Sequence, residues 1–417
     1  MDFEIIKNQN EWWENDLWTE NDQHLLSIKD KPYTYIRPEI DTIKKLDNSI
    51  NIIRGPRQVG KTTYLKLLIK KILLLKLLKP QDLIYLSCET IADYKELEST
   101  LFPWLKKKTN IPAVLMLDEI SFVKEWPRTI LSFANQGLLK NQTIFITGSN
   151  ARDLKESTER LPGRRNKGKD TVLYPFSFKE LASLKCFETL SSEQLFETYL
   201  KIGGFPHAVK DFVEYGFVSD ATYDIYKNWI IGDASRYALL EPILKQILFR
   251  VFETLSSRVS FAGLIENTSV KSHETAFNYL EHMEDSFISK ILYCYDINKN
   301  IPNLSKAKKI YFIDPLIYYM AYSWKAGTRN IYNWVENKLI DPIFKGKMFE
   351  ATVISNFIRT NDTLYFWYST KTKKEADILI PNKLDYDLYE IKLNKKFKSS
   401  LIGDKNVQFI NPDIFMK

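Results

Sequence analysis

Nine consecutive residues, Gly55-Pro56-Arg57-Gln58-Val59-Gly60-Lys61-Thr62-Thr63, have the spacing G-x-x-x-x-G-K-[ST]. They follow the apolar pair Ile52-Ile53 and precede an apolar, lysine-dotted run from Tyr64 to Leu78. A strand, a glycine loop and a helix in that order can cradle phosphates. The glycines let successive backbone N–H groups face one centre, and the following helix aims its positive end there. In such a loop Lys61 reaches the β- and γ-phosphates of a nucleoside triphosphate, and the Thr62 hydroxyl ligates Mg²⁺. ATP with Mg²⁺ is therefore the expected ligand of residues 55–63.

The natural complement of that loop is Asp118-Glu119, which closes the apolar run Ala113-Val114-Leu115-Met116-Leu117. Asp118 is placed to hold the Mg²⁺ shell, and Glu119 to polarise an attacking water. A kinase does not need the second carboxylate, so the pair predicts hydrolysis. A further apolar run, Thr143-Ile144-Phe145-Ile146, ends in Thr147-Gly148-Ser149-Asn150. Asn150 or Ser149 would put a polar side chain between water and the γ-phosphate. Arg164 or Arg165, in the basic stretch 161–169, could serve as an arginine finger, since the guanidinium is planar and always charged. A finger from a neighbouring copy would make the chain a homo-oligomer; one from the same chain would not.

A second constellation lies near the C-terminus. Glu375-Ala376-Asp377-Ile378-Leu379-Ile380 is followed by Leu388-Tyr389-Glu390-Ile391-Lys392. In an extended strand Glu390 and Lys392 point the same way. This is the layout of a metal-dependent phosphodiesterase: Asp377 and Glu390 bind Mg²⁺, and Lys392 orients the water or steadies charge on the phosphorane. Glu350, on a preceding helix, would be an added ligand. Lys371, Lys373 and Lys374 suit a DNA backbone.

These residues need a scaffold. Leu83-Ile84-Tyr85-Leu86-Ser87 joins the runs at 113–117 and 143–147 as a set of strands alternating with helical segments, which predicts an α/β fold with a parallel sheet. Residues 1–50 are polar and aromatic, and that segment is available to pack on an adenine. Thr171 to Tyr174 is a short strand. From Pro175 to about residue 255 the pattern is helical, broken at Gly203-Gly204-Phe205-Pro206. Residues 255–297 give a short helix, a turn and a second helix capped by Ser272, in which Ala276, Leu280 and Met283 share a face. With a strand from Ile288 to Tyr295, this outlines a winged helix-turn-helix whose Lys271, Ser272, His273, Thr275 and Asn278 would face a groove of DNA. The expected units are a P-loop core with N-terminal extension (1–180), a helical segment (181–254), a winged helix-turn-helix (255–300), a connecting helical segment (301–339) and a small α/β module (340–417).

Composition narrows the classes. The 59 basic residues outnumber the 52 acidic ones, a net charge of +7 that admits an acidic partner such as DNA without requiring it. Cys88, Cys186 and Cys294 are far apart, which argues against a disulfide framework and for a reducing, cytoplasmic setting. The four histidines have no neighbouring cysteines, so a zinc site is not expected. The start lacks the basic and apolar regions of a signal peptide. The most apolar run is broken by Lys66, Lys70, Lys71 and Lys76, so no membrane span is expected.

The order of these signals resembles the prokaryotic AAA-type ATPases, common in archaea, that carry a C-terminal domain like the PD-(D/E)xK restriction endonucleases. The resemblance rests on residues 55–63, Leu117-Asp118-Glu119, Thr147-Gly148-Ser149-Asn150, Gly163-Arg164, Pro175-Phe176-Ser177-Phe178-Lys179-Glu180 and Gly203-Gly204-Phe205-Pro206. Lys347-Met348-Phe349-Glu350, Glu375-Ala376-Asp377 and Glu390-Ile391-Lys392 extend it over nearly the whole chain. It implies a P-loop core of the ASCE type, a helical lid over 181–254, a winged helix and a nuclease-like end. It further implies Lys61, Thr62, Asp118 and Glu119 as the hydrolytic set, Asn150 as sensor, Arg164 ahead of Arg165 as finger, and Asp377, Glu390 and Lys392 as the nuclease-like positions. The basic insertion Arg165 to Lys169 departs from that pattern.

Overall fold

The apolar runs at 52–53, 83–87, 113–117 and 143–147 each become a strand. The computed structural model describes residues 3–149, 166–361, 363–382, 385–393, 400–402 and 405–416. The chain divides into two compact units, residues 1–173 and 174–417.

In the first unit β1 (Ile50–Arg54), β2 (Leu83–Ser87), β3 (Ala113–Asp118), β4 (Gln142–Gly148) and β5 (Asp170–Val172) form one sheet in the order β2-β3-β4-β1-β5. Every pairing is parallel. All residues of β3 and β4 are buried, as continuous apolar strands covered on both faces must be. The helix after β1 runs from Lys61 to Leu74 and buries Leu65, Leu68, Ile69 and Ile72 completely. Helices Tyr94–Lys108 and Pro127–Asn135 complete the crossovers. The α/β class with a parallel sheet is thus as expected.

Strand β2 is an edge, and an open edge leaves backbone groups unpaired. The N-terminal residues pair them with side chains. Asn10 Nδ2 donates to Tyr85 O at 2.8 Å, and Tyr85 N donates back to Asn10 Oδ1 at 2.7 Å. Ser87 N donates to Gln9 Oε1 at 2.8 Å, and the indoles of Trp12 and Trp13 donate to Leu83 O at 3.2 and 2.8 Å. Four side chains stand where a sixth strand would be.

The second unit opens with helices Phe178–Ala182, Ser192–Ile202, Pro206–Tyr215, Asp220–Arg236 and Glu241–Glu253. Helices Phe261–Ile265 and His273–Asp285 follow, and Ala276, Leu280 and Met283 are fully buried while Lys271, Ser272, His273 and Asn278 are exposed. The strand expected over 288–295 is broken at Tyr293. Its first part, β6 (Ser289–Leu292), pairs antiparallel with β9 (Lys309–Phe312). Its second part, β7 (Cys294–Asp296), pairs with β8 (Ile301–Asn303) and touches β10 (Tyr365–Tyr368) in parallel. With β11 (Glu375–Pro381), β12 (Tyr386–Ile391), β13 (Ser400–Ile402) and β14 (Lys405–Ile410) these make a seven-stranded sheet, β13-β14-β12-β11-β10-β7-β8.

The stretch 301–339, expected as helical, therefore begins with β8 and β9, and only then forms helices Pro315–Ala326 and Ile331–Leu339. The segments 255–300 and 340–417 contribute to one sheet. The cause is burial on both sides of the 288–295 run: Ile291, Leu292, Cys294 and Tyr295 are all within 4% of full burial. Such a run can serve two sheets in succession. Among the described residues no helix is long and apolar enough to cross a membrane.

Candidate functional site

The loop 55–60 leaves the C-terminal end of β1, and β3 and β4 end beside it, so the first unit gathers its polar residues at one sheet edge. Gly55 adopts φ +152°, and a Cβ there would lie 2.2 Å from Leu173 O on the neighbouring backbone. Only glycine fits that approach. Gln58 takes a left-handed φ of 66°, which turns the loop toward the start of the helix at Lys61. The Lys61 side chain is buried, and its ammonium donates to Gly55 O and Pro56 O, each at 3.1 Å.

Asp118 lies at the end of β3, 3% exposed. Its Oδ2 accepts from Thr62 Oγ1 at 2.7 Å and from the Tyr85 hydroxyl at 2.8 Å. Its Oδ1 accepts from Thr147 Oγ1 at 2.5 Å. Glu119 follows in a left-handed conformation, φ 51°, a strained geometry common where a side chain must be aimed. Its Oε1 lies 3.1 Å from Lys61 Nζ, and Ser149 Oγ donates to its Oε2 at 2.9 Å. Burial works to raise the Glu119 carboxyl, but the Lys61 ammonium, the Ser149 hydroxyl and Arg57 outweigh it and hold the group below its ordinary value.

Two adjacent pairs from separate places in the chain, Lys61-Thr62 and Asp118-Glu119, thus meet in one cluster, with Ser149 beside it. Asn150, Arg164 and Arg165 lie outside the described residues. Tyr85 was not foreseen as part of this cluster. Its only signal was its place inside a strand that ends at the same edge. Behind it, Lys66 sits 4.1 Å from the Tyr85 ring centroid and 3.1 Å from Asp22 Oδ2. Burial lowers the Lys66 pKa against the pull of Asp22. Thr62 and Asp118 are oxygen donors of the kind Mg²⁺ takes alongside phosphate and water.

In the second unit Asp377, Glu390, Lys392 and Glu350 line one cleft of about 450 Å³, with Ser256, Lys309, Lys373, Lys374 and Glu375. Lys392 Nζ lies 2.9 Å from Glu390 Oε1. Asp377 Oδ2 accepts from Ile391 N at 2.9 Å. The centre of the cleft is held by Lys309 of β9, 2% exposed, whose ammonium lies 2.6 Å from Glu375 Oε1, 2.8 Å from Asp377 Oδ1 and 3.1 Å from Glu350 Oε1. Tyr311 donates to the same Glu350 oxygen at 2.5 Å. Burial opposes the Lys309 charge, but Asp377, Glu350 and Glu375 raise its pKa above the lysine range. Burial and Asp377 push the Glu350 carboxyl up to about 7, against the attraction of Lys309. Among the described residues no group of three or more His, Cys, Asp or Glu side chains is arranged to hold a metal ion. The expected residues of this cleft come together, but sequence reasoning missed the lysine between them. The pair Lys308-Lys309 heading the apolar run Ile310-Tyr311-Phe312 was the available signal.

Residues 47–182 match a family described as an AAA domain, and residues 193–327 match a domain of unknown function (DUF8612). An uncharacterized protein of Methanocaldococcus jannaschii is 27% identical over 289 residues, which span 65% of this chain and 62% of that relative. Among solved structures, the ORC2 protein of Aeropyrum pernix is similar with a TM-score of 0.36 at 12% identity, over 67% of this chain and 89% of that one. DnaA of Aquifex aeolicus gives a TM-score of 0.31 at 18% identity, over 59% and 84% of the two chains. A RuvB variant of Thermotoga maritima gives 0.31 at 13%, over 73% and 93%. The family match covers the glycine loop, the acid pair and all five parallel strands in full. Residues 47–182 are thus similar to an AAA domain, and that match holds the glycine loop, the acid pair and the parallel sheet.

Proposed function

We propose that the chain hydrolyses MgATP in its first unit and uses turnover to act on DNA through its second. The observation that carries the first half is the meeting of Lys61, Thr62, Asp118 and Glu119 at one edge of the parallel sheet. Lys61 would leave Glu119 for the β- and γ-phosphates. Thr62 and Asp118 would hold Mg²⁺, which when bound neutralises phosphate charge. Glu119, freed from Lys61, would take the proton of the attacking water while its oxygen bonds the γ-phosphorus and the bond to the β-phosphate oxygen breaks. Asn150 remains our candidate sensor, and Arg164 our candidate finger, supplied within the chain or by a second copy.

Tyr85 extends this reading. Its hydroxyl shares an Asp118 oxygen with Thr62, so Tyr85→Phe should loosen the carboxylate without touching the phosphate loop. The expected result is a rise of about 10-fold in the Mg²⁺ concentration for half-maximal turnover, with ATP binding in the absence of metal unchanged. An unaltered Mg²⁺ titration would remove Tyr85 from the site.

Support for DNA as the partner comes from the exposed Lys271, Ser272, His273 and Asn278 on the helix-turn-helix and from Lys373, Lys374 and Lys392 around the cleft. For the cleft itself, two roles are open: Mg²⁺-dependent cleavage by Asp377, Glu390 and Lys392, or a docking surface built on an inactive nuclease-like fold under ATP control. The ammonium of Lys309 among the carboxylates favours docking. The test is incubation of duplex, forked and single-stranded DNA with Mg²⁺ or Mn²⁺ and ATP. We expect binding that weakens steeply with salt, and DNA left equally intact by the parent and by Asp377→Ala. Cleavage by the parent that Asp377→Ala abolishes would establish the nuclease role instead.

A further inference from the structure

We infer that Lys309 is the resident cation of the C-terminal cleft: its ammonium occupies the centre that a divalent metal would need, so the native cleft binds no such metal. An ammonium has three protons to give and no acceptor. Here three carboxylate oxygens, from Glu350, Glu375 and Asp377, surround it at 2.6–3.1 Å. It donates hydrogen bonds to Asp377 and Glu350 and is ion-paired with Glu375.

Three of the carboxylate oxygens around it have further partners as well. The second oxygen of Asp377 accepts from Ile391 N, the shared Glu350 oxygen accepts from Tyr311, and Glu375 Oε2 lies 3.5 Å from Arg258 Nε. Mg²⁺ demands oxygens at about 2.0–2.1 Å in near-octahedral array. A nitrogen at the middle of the set excludes that array sterically and repels the ion electrostatically. The lysine comes from β9, while Glu375 and Asp377 belong to β11 and Glu350 to the helix Pro342–Ile358. The same contact thus ties the two-stranded β6–β9 pair to the larger sheet, as a metal bridging them would. Removing the ammonium would leave three clustered acids facing one another, Asp377 buried and Glu350 and Glu375 partly so, a set that either protonates or takes up a cation.

This deepens the docking reading of the cleft and does not depend on nucleotide. The experiment uses the full chain without nucleotide and follows Mn²⁺ by calorimetry and by electron paramagnetic resonance. In the parent and in Asp377→Asn, the Mn²⁺ isotherms should superimpose. In Lys309→Met, about one further Mn²⁺ per chain should bind, and the added Asp377→Asn change should abolish it. Lys309→Met with Glu350→Gln removes one acid and keeps the cleft testable where the single variant does not fold. Asp377-dependent Mn²⁺ binding by the parent overturns the inference, as does failure of both Lys309 variants to gain an ion. ATP turnover is not read, so this outcome stands apart from that of the P-loop assignment.

Discussion

Replacing Glu119 by glutamine should leave a protein that binds ATP but turns it over on the order of 10²–10⁴-fold more slowly, the usual contribution of a positioned general base. The substitution keeps the shape of the side chain, and the amide oxygen can still accept from Ser149. It removes the negative charge that faces Lys61 at 3.1 Å and with it a carboxylate able to take a proton from water. Lys61→Ala is the complementary change: it should weaken nucleotide binding itself, because the lysine is the group expected to meet the phosphates. The two variants therefore separate binding from chemistry, and phosphate release alongside equilibrium ATP binding reads both. The pH dependence has a definite sign. The carboxyl is held below its ordinary 4.5, so it is charged at all higher pH values, and stability gained from that charge is lost only on acidification below that point. Acid unfolding of the nucleotide-free protein should thus show no contribution from this group above pH 5 or so. Substantial steady-state hydrolysis by Glu119→Gln would overturn the assignment of the base.

The P-loop and the acid pair were legible because each is contiguous. Nine adjacent residues specify the loop, and a carboxylate at the end of a fully apolar strand has few places to go but a sheet edge. The third partner, Tyr85, was not legible, because its role depends on β2 lying next to β3, a register fixed by pairing of Tyr85 with Met116 rather than by local sequence. The same holds for the N-terminal cover: Gln9 and Asn10 look like ordinary polar residues until an unpaired strand edge is set beside them. In the second unit, Asp377, Glu390 and Lys392 were found by the two-residue period of a strand. Lys309 is 68 residues from Asp377, and a buried lysine has no period to announce it. Its strand was hidden inside a stretch whose later part is helical, and the helical pattern dominated the reading.

The motif Gly203-Gly204-Phe205-Pro206 was visible as a break between helices, but its physical reason is a packing one and yields the second large effect. Gly204→Ala should destabilise the second unit by about 3 kcal/mol or more, the upper range for forcing an atom into a filled site. A Cβ at position 204 would lie 1.9 Å from Phe176 O and 2.8 Å from Phe176 C and N, all backbone atoms that cannot swing aside. Nor can the neighbours yield cheaply. Phe176 N donates to Gly204 O at 2.8 Å, Gly204 N donates to Asp314 Oδ2 at 2.9 Å, and Arg359 lies 3.6 Å from that same oxygen. Arg359 donates to the Tyr199 hydroxyl at 2.9 Å, and Tyr199 donates to Phe176 O at 2.9 Å, which closes the ring. Asp314 is 1% exposed, and burial pushes its carboxyl up to about 6 despite Arg359, so any movement that weakens its partners exposes an already costly group. Gly346→Ala is the control: that glycine lies within the helix Pro342–Ile358 with nothing within 4 Å of its Cβ position, and alanine there should be neutral or stabilising by up to about 1 kcal/mol. Urea denaturation of the two full-length variants, followed by tryptophan fluorescence, separates them. Equal midpoints would mean that the Phe176–Gly204 contact is loose enough to accept a methyl group, and the ring through Asp314 and Arg359 would then not be the brace that holds these helices.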